Sequence, residues 1–458
     1  MSALERLTLE LYGVVMRLLC PWVKRRLARR AVRQPLLALQ VQERFGHYDK
    51  RFSDDGGQAF RIWVHAVSLG ETRAAGLLMR ALRTTHPEVR FLLTHSSATG
   101  RAEGEGLLGP GDLQVWQPWD APAGVQRFLD HFEPQLALMM ETEVWPNWVQ
   151  GCRARGIPLC LVNARLSEKS ARSAQRLAWL AKPAYSGLTA VWAQTSADAQ
   201  RLQSLGAPVV GVLGNLKFDA QPHAEQARLG RDARGARPAQ DGAVITLASS
   251  REGEEVLLLE ALLARAQEIG QRATYLVVPR HPERFDGVAR IMEDLGFEVV
   301  RRSSLHSLSE FAAKIHQACV LDQAAHEGPA RQRPRVFLGD SMGEMNFYYA
   351  LTNVALMGAT FKPLGGQNLI EALANGCPVV LGPHTFNFQD TSTLALKAGV
   401  ARSSSSMQEG LQTALNWVKA REEWLKASEC CVDFIQAHQG ASESLVDALA
   451  VYLPPSSA

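Results

Sequence analysis

Along the chain, short apolar runs alternate with longer stretches in which apolar residues return every three or four positions. In the first half the runs are Ile62–Val67, Arg90–Thr94, Leu136–Met140, Leu159–Val162, Ala190–Ala193 and Val209–Leu213. In the second half they are Val244–Ala248, Tyr275–Pro279, Val336–Leu338, Val354–Met357 and Val379–Leu381. Most are continuous rather than alternating, as expected of strands buried on both faces of a parallel sheet. Glu71–Leu82, Ala197–Leu205, Glu254–Glu268, Phe285–Leu295 and Gln367–Asn375 carry the helical period between them. This βαβα order predicts an α/β fold of doubly wound sheets. At 458 residues the chain is too long for one core, which implies at least two such domains. Pro222–Asp241, rich in Ala, Arg, Gly and Gln, reads as a linker or an exposed helix between two of them. Ser303–Arg335 reads as an irregular insertion and Met407–Leu449 as a helical tail. Ligands of doubly wound sheets bind beyond the carboxyl ends of the strands, so chemistry is expected in those loops and in a cleft between the domains.

The first 50 residues change the picture. Leu7 to Val23 reads LTLELYGVVMRLLCPWV and is followed by KRRLARR. Residues 1–50 hold ten Lys/Arg against four acids, a difference of +6, whereas the whole chain carries only +3. A spanning helix needs about 20 mainly apolar residues, and here Glu10 and Arg17 interrupt a shorter run. No small-residue cleavage site follows, which disfavours a secretory signal. The expectation is an amphipathic helix lying in a membrane interface, its Lys/Arg flank on anionic headgroups. A spanning helix and a helix simply packed on the body are the alternatives. The small net charge gives no reason to invoke nucleic acid. Seven cysteines, an odd number with no CxxC pair, argue against a disulfide framework or zinc site and for a reducing cytosol.

Candidate chemistry sits at the strand ends. In WVHAVSLGET, Ser68 and Gly70 permit a tight turn and Glu71 opens the next helix. The helix dipole would keep that carboxylate ionised, and in a cleft it can act as a general base; a mere helix-start acid is the plainer reading. In METEVWPN, Glu141 and Glu143 would share one side of a loop and orient a hydroxyl or a base such as Arg165, or form structural salt bridges. In LASSREGEE, Ser249 or Ser250 would cap a helix that also offers an anion site. VVPRHPERF projects Arg280 and His281 from a strand end, and Arg suits bidentate phosphate binding. GDSMGEM and FKPLGGQNLIEA expose backbone N–H groups at Gly343 and Gly365-Gly366, and Glu371 would accept from a ribose diol. There is no GxxxxGK[ST] loop, DxD or HExxH, so neither P-loop hydrolysis nor a divalent metal is implied. Phosphate charge would fall to Arg280, Lys217, Lys362 and helix N-termini.

Taken in order, ERFGHYD, WVHAVSLGE, METEVWPN, LVNARLSEKS, GNLKFD, VPRHPERF, GDSMGEM, GGQNLIEA and GPHTFNF resemble the 3-deoxy-D-manno-octulosonic acid (Kdo) transferases of lipopolysaccharide synthesis. The resemblance implies a GT-B fold, two Rossmann-like domains facing across a cleft. It implies Kdo transfer from CMP-Kdo to the lipid A precursor (lipid IV-A) at the cytoplasmic face of the inner membrane, with no metal and no cofactor. It makes Glu71 the proton acceptor and Glu141 a further active-site carboxylate. Pro279 and Arg280, Met342, Gly343 and Glu344, and Asn368, Leu369, Ile370 and Glu371 match its CMP-binding segments. The chain departs from the family pattern at Gln367, where His is usual, at Leu369 and Ile370, where Pro and Leu are usual, and at Ser250-Arg251, where Thr-His is usual.

The expected layout is a membrane-associated helix over 1–40, an acceptor-binding domain over 41–220 and a linker over 221–242. A CMP-sugar-binding domain over 243–425 and a terminal helix over 426–458 packing back on the first domain follow. A GT-B relative using a UDP-sugar, a non-catalytic sensor of nucleotide-sugar and a soluble scaffold are the rival readings.

Overall fold

A computed structural model of the chain describes residues 3–32, 34–48, 59–236, 242–265, 273–324 and 334–455. The chain forms two compact units, Met1–Ala220 with His438–Ala458, and Gln221–Ala437.

The first unit is built on a parallel sheet of β1 (Arg61–His65), β2 (Arg90–His95), β3 (Leu113–Trp116), β4 (Leu136–Met140), β5 (Leu159–Ala164), β6 (Ala190–Ala193) and β7 (Val209–Val212). Their order across the sheet is β3-β2-β1-β4-β5-β6-β7. Strand β1 is buried along its whole length because both faces are covered. Trp63 points to one layer with Phe128 and Trp148, while Ile62 and Val64 point to the other with Leu78 and Met79. The chain's end completes that second layer. The helix Ala441–Leu449 buries Leu445 and Leu449 in it, each burial contributing about 1.5–3 kcal/mol. Asp219 fixes the return by accepting from the N–H groups of Gly440 at 2.8 Å and Ser442 at 2.6 Å.

The second unit is also built on a parallel sheet, of β8 (Ala243–Ser250), β9 (Ala273–Pro279), β10 (Glu298–Arg301), β11 (Arg335–Leu338), β12 (Val354–Met357), β13 (Val379–Leu381) and β14 (Ala401–Ser403), but with β11 inserted between β9 and β10. Its order is β10-β11-β9-β8-β12-β13-β14. The hydrophobic pattern misses β3, β10 and β14, and all three lie at sheet edges. Edge strands are covered on fewer sides, so their residues need not be continuously apolar: β10 reads EVVR and has no fully buried residue.

Two stretches hold helices: one read as a linker or an exposed helix, where the helix is found, and one read as irregular. Ala224–Gly235, within the expected linker, packs on the helix Met345–Leu351; a Cβ on Gly230 would lie 2.6 Å from the Ala350 Cβ. The stretch Ser303–Arg335 contains the helix Leu308–Ala324, with Phe311 and Ile315 in the core. Residues 237–241 and 325–333, parts of the expected linker and insertion, lie outside the described residues.

At the amino end, Ala3–Leu18 and Cys20–Ala31 are helices. The first is docked on its own unit: Tyr12 donates to Asp120 at 2.8 Å, Trp119 Nε1 donates to the Met16 carbonyl at 2.9 Å, and Leu9 and Met16 are buried. Its opposite face exposes Leu7, Leu11, Val14, Val15 and Leu18. Among the described residues no helix is long and apolar enough to cross a membrane. Cys20, Cys152, Cys160, Cys377, Cys430 and Cys431 are free thiols; the side chain of Cys319 lies outside the described residues.

Candidate functional site

In the first sheet the chain runs one way from β1 to β2 and β3, and the other way from β4 to β7. The crevice between the ends of β1 and β4 is therefore the topological switch point, where such sheets hold ligands. Glu71 follows β1; Glu141 and Glu143 follow β4.

Glu71 is the third residue of the helix Leu69–Thr85, whose N-cap is Ser68. Its N–H donates to Ser68 Oγ at 3.3 Å, and Ser68 Oγ–H donates back to Oε1 at 2.8 Å. The Val67 N–H donates to Oε2 at 2.9 Å. This is close to a capping box, so the helix-start reading of Glu71 holds. The dipole does not settle its charge. Burial first, then the nearby Glu141, raise the Glu71 carboxyl to about 7 against those hydrogen bonds. Gly70 makes no tight turn: it lies inside the helix, and a Cβ there would meet nothing within 4 Å.

Glu141 sits at φ +56°, a conformation costly for a non-glycine residue and common at functional sites. Its carboxylate is buried and accepts from Lys217 Nζ at 2.7 Å. Arg165, the expected partner, instead gives its backbone N–H to the Glu141 carbonyl at 3.2 Å. Glu143 is held apart from Glu141, accepting from Trp145 Nε1 at 2.7 Å with His65 Nε2 at 3.8 Å. Burial pushes its carboxyl up, but the interactions with His65 and Trp145 outweigh that and hold it below the usual range. Lys217 is a partner that the pattern of residues assigned elsewhere, to phosphate. Asn163, itself at φ +50°, accepts from the Leu216 N–H at 3.1 Å, and Asn215 caps the Lys217 N–H at 3.0 Å. The signal was present in GNLKFD, whose Asn and Lys are those two residues.

In the second sheet the switch point lies between β8 and β12. Neither Ser249 nor Ser250 caps the helix Glu254–Arg265. Ser250 Oγ donates to Glu255 at 2.5 Å, and Arg284 grips the same fully buried carboxylate at 2.8 and 3.0 Å. Glu254, also fully buried, accepts from the N–H groups of Arg251 at 2.9 Å, Ala359 at 2.7 Å and Phe361 at 3.1 Å. It thus ties the loop after β8 to the loop after β12.

The expected donor segments stand as follows. Pro279 ends β9, buried, and the Arg280 N–H donates to the Ser250 carbonyl at 3.0 Å. The Arg280 side chain is half-buried and has no ion pair among the described residues. Met342 is exposed, and Gly343, at φ +79°, accepts from Gln226 Nε2 at 2.9 Å. Glu344 is engaged internally by Arg302 at 2.8 Å, by Tyr348 at 3.1 Å and by Ser341. Asn368 accepts from the Ile370 N–H at 3.2 Å and faces Glu371 at 3.5 Å. Leu369 and Ile370 are buried in the core, so only their backbone is available to a ligand. Gly365 and Gly366 do not stand at a helix start: the short helix begins at Ile370, and the Gly366 N–H donates to the Ala359 carbonyl at 2.7 Å.

Comparison with known proteins bears on the family and the fold. A family model described as 3-Deoxy-D-manno-octulosonic-acid transferase (kdotransferase) matches residues 40–220. A 3-deoxy-D-manno-octulosonic acid transferase of Bordetella pertussis is 41% identical over 455 residues, covering 96% of this chain and 99% of the relative. One from Haemophilus influenzae is 30% identical over 432 residues, covering 92% and 93%. Among solved structures, the UDP-GlcNAc 2-epimerase of Neisseria meningitidis superposes with a TM-score of 0.54 at 16% identity, over 85% of this chain and 100% of its own. A glycosyltransferase of Rickettsia africae gives 0.53 at 11% identity, over 86% and 98%. At such identities these structures show the fold alone, which is of the GT-B type.

Proposed function

The chain belongs to the 3-deoxy-D-manno-octulosonic acid transferase family, and from that premise we propose that it moves Kdo from CMP-Kdo to the lipid A precursor, with Glu71 as general base. The observation that carries this reading is the grouping of Glu71 with the Glu141–Lys217 pair at the first switch point. A carboxyl raised to about 7 is well matched to taking a proton near neutral pH. Glu71 removes the proton from an acceptor hydroxyl as its oxygen attacks the anomeric carbon of Kdo. The bond from that carbon to the phosphate oxygen breaks, its electron pair stays on oxygen, and CMP leaves with one more negative charge. Arg280 meets that charge, with the 342–344 and 368–371 segments binding the nucleotide. Fixed donors aimed at developing charge lower the barrier of many such reactions more than any other single effect.

The acceptor is a glycolipid, so the enzyme must work at a bilayer. The amino-terminal helices suit that task. Leu7 is 62% exposed, Leu18 74% and Trp22 55%, beside Lys24, Arg25, Arg26, Arg29 and Arg30. This is an apolar face with a basic flank, as in helices that lie in a cytoplasmic leaflet. Deleting residues 1–30 would also remove Tyr12 and Met16 from the body, so substitutions confined to the outer face are the cleaner test. Leu7→Gln with Leu18→Gln should lower flotation with anionic vesicles and leave thermal stability unchanged; unchanged flotation rejects the seating.

The catalytic reading is tested with purified full-length protein, CMP-Kdo and lipid A precursor, products being weighed by mass spectrometry. A mass gain of one or more Kdo units with release of CMP is expected. No gain, together with calorimetric binding of UDP in preference to CMP, rejects it.

A further inference from the structure

Around the second switch point the charges are sorted in an unusual way. Two acids beside the crevice, Glu254 and Glu255, are fully buried and committed inward, Glu254 to three loop amides and Glu255 to Arg284 and Ser250, while Glu252 is exposed and Glu371 partly so. Arg284 apart, the cations Arg251, Arg280 and Lys362 keep part of their surface exposed. Arg251 leads the loop after β8 and pairs with the exposed Glu252 at 3.1 Å, a surface contact worth little. Lys362 stands in the loop after β12 and laps over Gly253, its Cε 3.5 Å from where a Cβ on that glycine would be. It has no ion pair among the described residues. His281 lies close enough to both Arg251 and Arg280 to feel their charge.

The backbone there is also forced. Ser249, at the irregular end of β8, and Ala359, in the loop after β12, neither of them glycine, stand at φ +55° and +60°. Between them a Cβ on Gly358 would lie 2.3 Å from the Ser249 carbonyl oxygen. Strain of this kind, held by a fully buried carboxylate bridging both loops, fixes where Arg251 and Lys362 start.

More positive charge is gathered here than one phosphodiester requires, and the transferred sugar is itself an acid. In its CMP ester the carboxylate and the phosphate oxygen are attached to the same anomeric carbon, so two anions must be held side by side. Resting on the proposed function, we propose that Arg251 and Lys362 form a subsite for the carboxylate of the donor sugar, separate from the phosphate contact of Arg280. Arginine offers a planar fork that matches a carboxylate with two parallel hydrogen bonds. It stands in this chain where the family resemblance leads to His, so the carboxylate contact here is permanently charged.

Steady-state kinetics of the full-length protein separate the two anions, with the KM for CMP-Kdo reporting both and inhibition by CMP reporting the phosphate and nucleoside alone. Arg251→Gln and Lys362→Gln should each raise the donor KM by about tenfold to a hundredfold, the loss expected for one charged hydrogen bond, while the CMP inhibition constant stays within about twofold. Arg251→His should recover part of the loss at low pH and lose it as pH rises through about 6.5; wild type should show no such trend in KM. Both side chains are partly exposed and on different loops, so a folding defect in one variant leaves the other to decide. An unchanged donor KM, or a CMP constant that rises in step with it, overturns the subsite. Failure of the wild-type protein to transfer Kdo would instead sink the proposed function.

Discussion

Both sheets reverse direction at a central switch point, between β1 and β4 and between β8 and β12, and different side chains stand there. After β1 and β4 stand Glu71, Glu141 and Glu143; after β8 and β12 stand Arg251 and Lys362, with Arg280 next to them after β9. The difference lies in which groups the fold turns inward. In the first unit the cation, Lys217, is drawn down onto Glu141, and Glu71 is left facing a partly neutralised neighbour that still raises its carboxyl. In the second unit Glu254 and Glu255 are drawn inward, with Arg284 on Glu255, while Arg251, Arg280 and Lys362 stay partly exposed. On the proposed function one architecture would supply a proton-accepting end and an anion-binding end, because the charges at each crevice depend on a few side chains at strand ends and not on the sheet.

This contrast is tested most directly at Glu71. Glu71→Gln keeps the shape of the cap and removes the base, so turnover should fall by about 10²–10⁴-fold with CMP binding unchanged by calorimetry. A variant that turns over normally removes the acidic crevice from the chemistry. The matching change in the second unit is Glu255→Ala, which leaves the Arg284 charge without its buried partner. Chemical denaturation should show a loss of about 3–5 kcal/mol; a loss under about 1 kcal/mol would mean that the inward acids do not hold this crevice together.

Smaller effects probe the same asymmetry. If Glu71 is the base, kcat should rise with pH through about 7, because the unprotonated form is the active one. Lys217→Met leaves Glu141 uncompensated and should move that midpoint upward by about one unit; an unmoved midpoint would show that Glu141 and Glu71 are not coupled. Stability follows the opposite course. The folded Glu71 carboxyl is raised above its ordinary 4.5, so the folded state retains a proton that the unfolded chain has released between those values. Its contribution is present below pH 4.5 and lost as pH rises through about 7. Glu71→Gln should therefore gain stability relative to wild type above about pH 7, read from melts across pH. The smallest effect is at the glycines. Gly70→Ala adds a methyl that meets nothing within 4 Å in a helix, and should stabilise by about 0.5–1 kcal/mol. Gly358→Ala, whose methyl would meet the Ser249 carbonyl at 2.3 Å, should destabilise, and equal melting temperatures for the two would contradict the packed second crevice.

Much of the fold is written in local pattern. Runs such as LALMM and RIWVH are buried throughout because both sides of each strand are covered, and Ser68 with Glu71 marks a helix start by spacing alone. The edge strands β3, β10 and β14 escaped because half-covered strands need not be apolar. The helix Leu308–Ala324 escaped because its buried residues, Phe311 and Ile315 among them, are diluted by polar neighbours. At the site, the pattern placed Glu71, Glu141 and Arg280 at strand ends, and they stand after β1, β4 and β9. It misjudged one partner, since the Glu141 carboxylate meets Lys217 while Arg165 gives it only a backbone contact, and it could not tell that the side chains of Glu344, Leu369 and Ile370 turn into the protein.

The α/β class, the two-domain plan and the family follow from the amino-acid sequence, since each rests on periodicity or on residues in fixed order. Which charges are neutralised and which remain is settled only in three dimensions. Lys217 reaches Glu141 across 76 residues, and Glu254 joins loops more than 100 residues apart, 105 to Ala359 and 107 to Phe361. Charge interactions depend on distance and burial in space, and separation along the chain encodes neither.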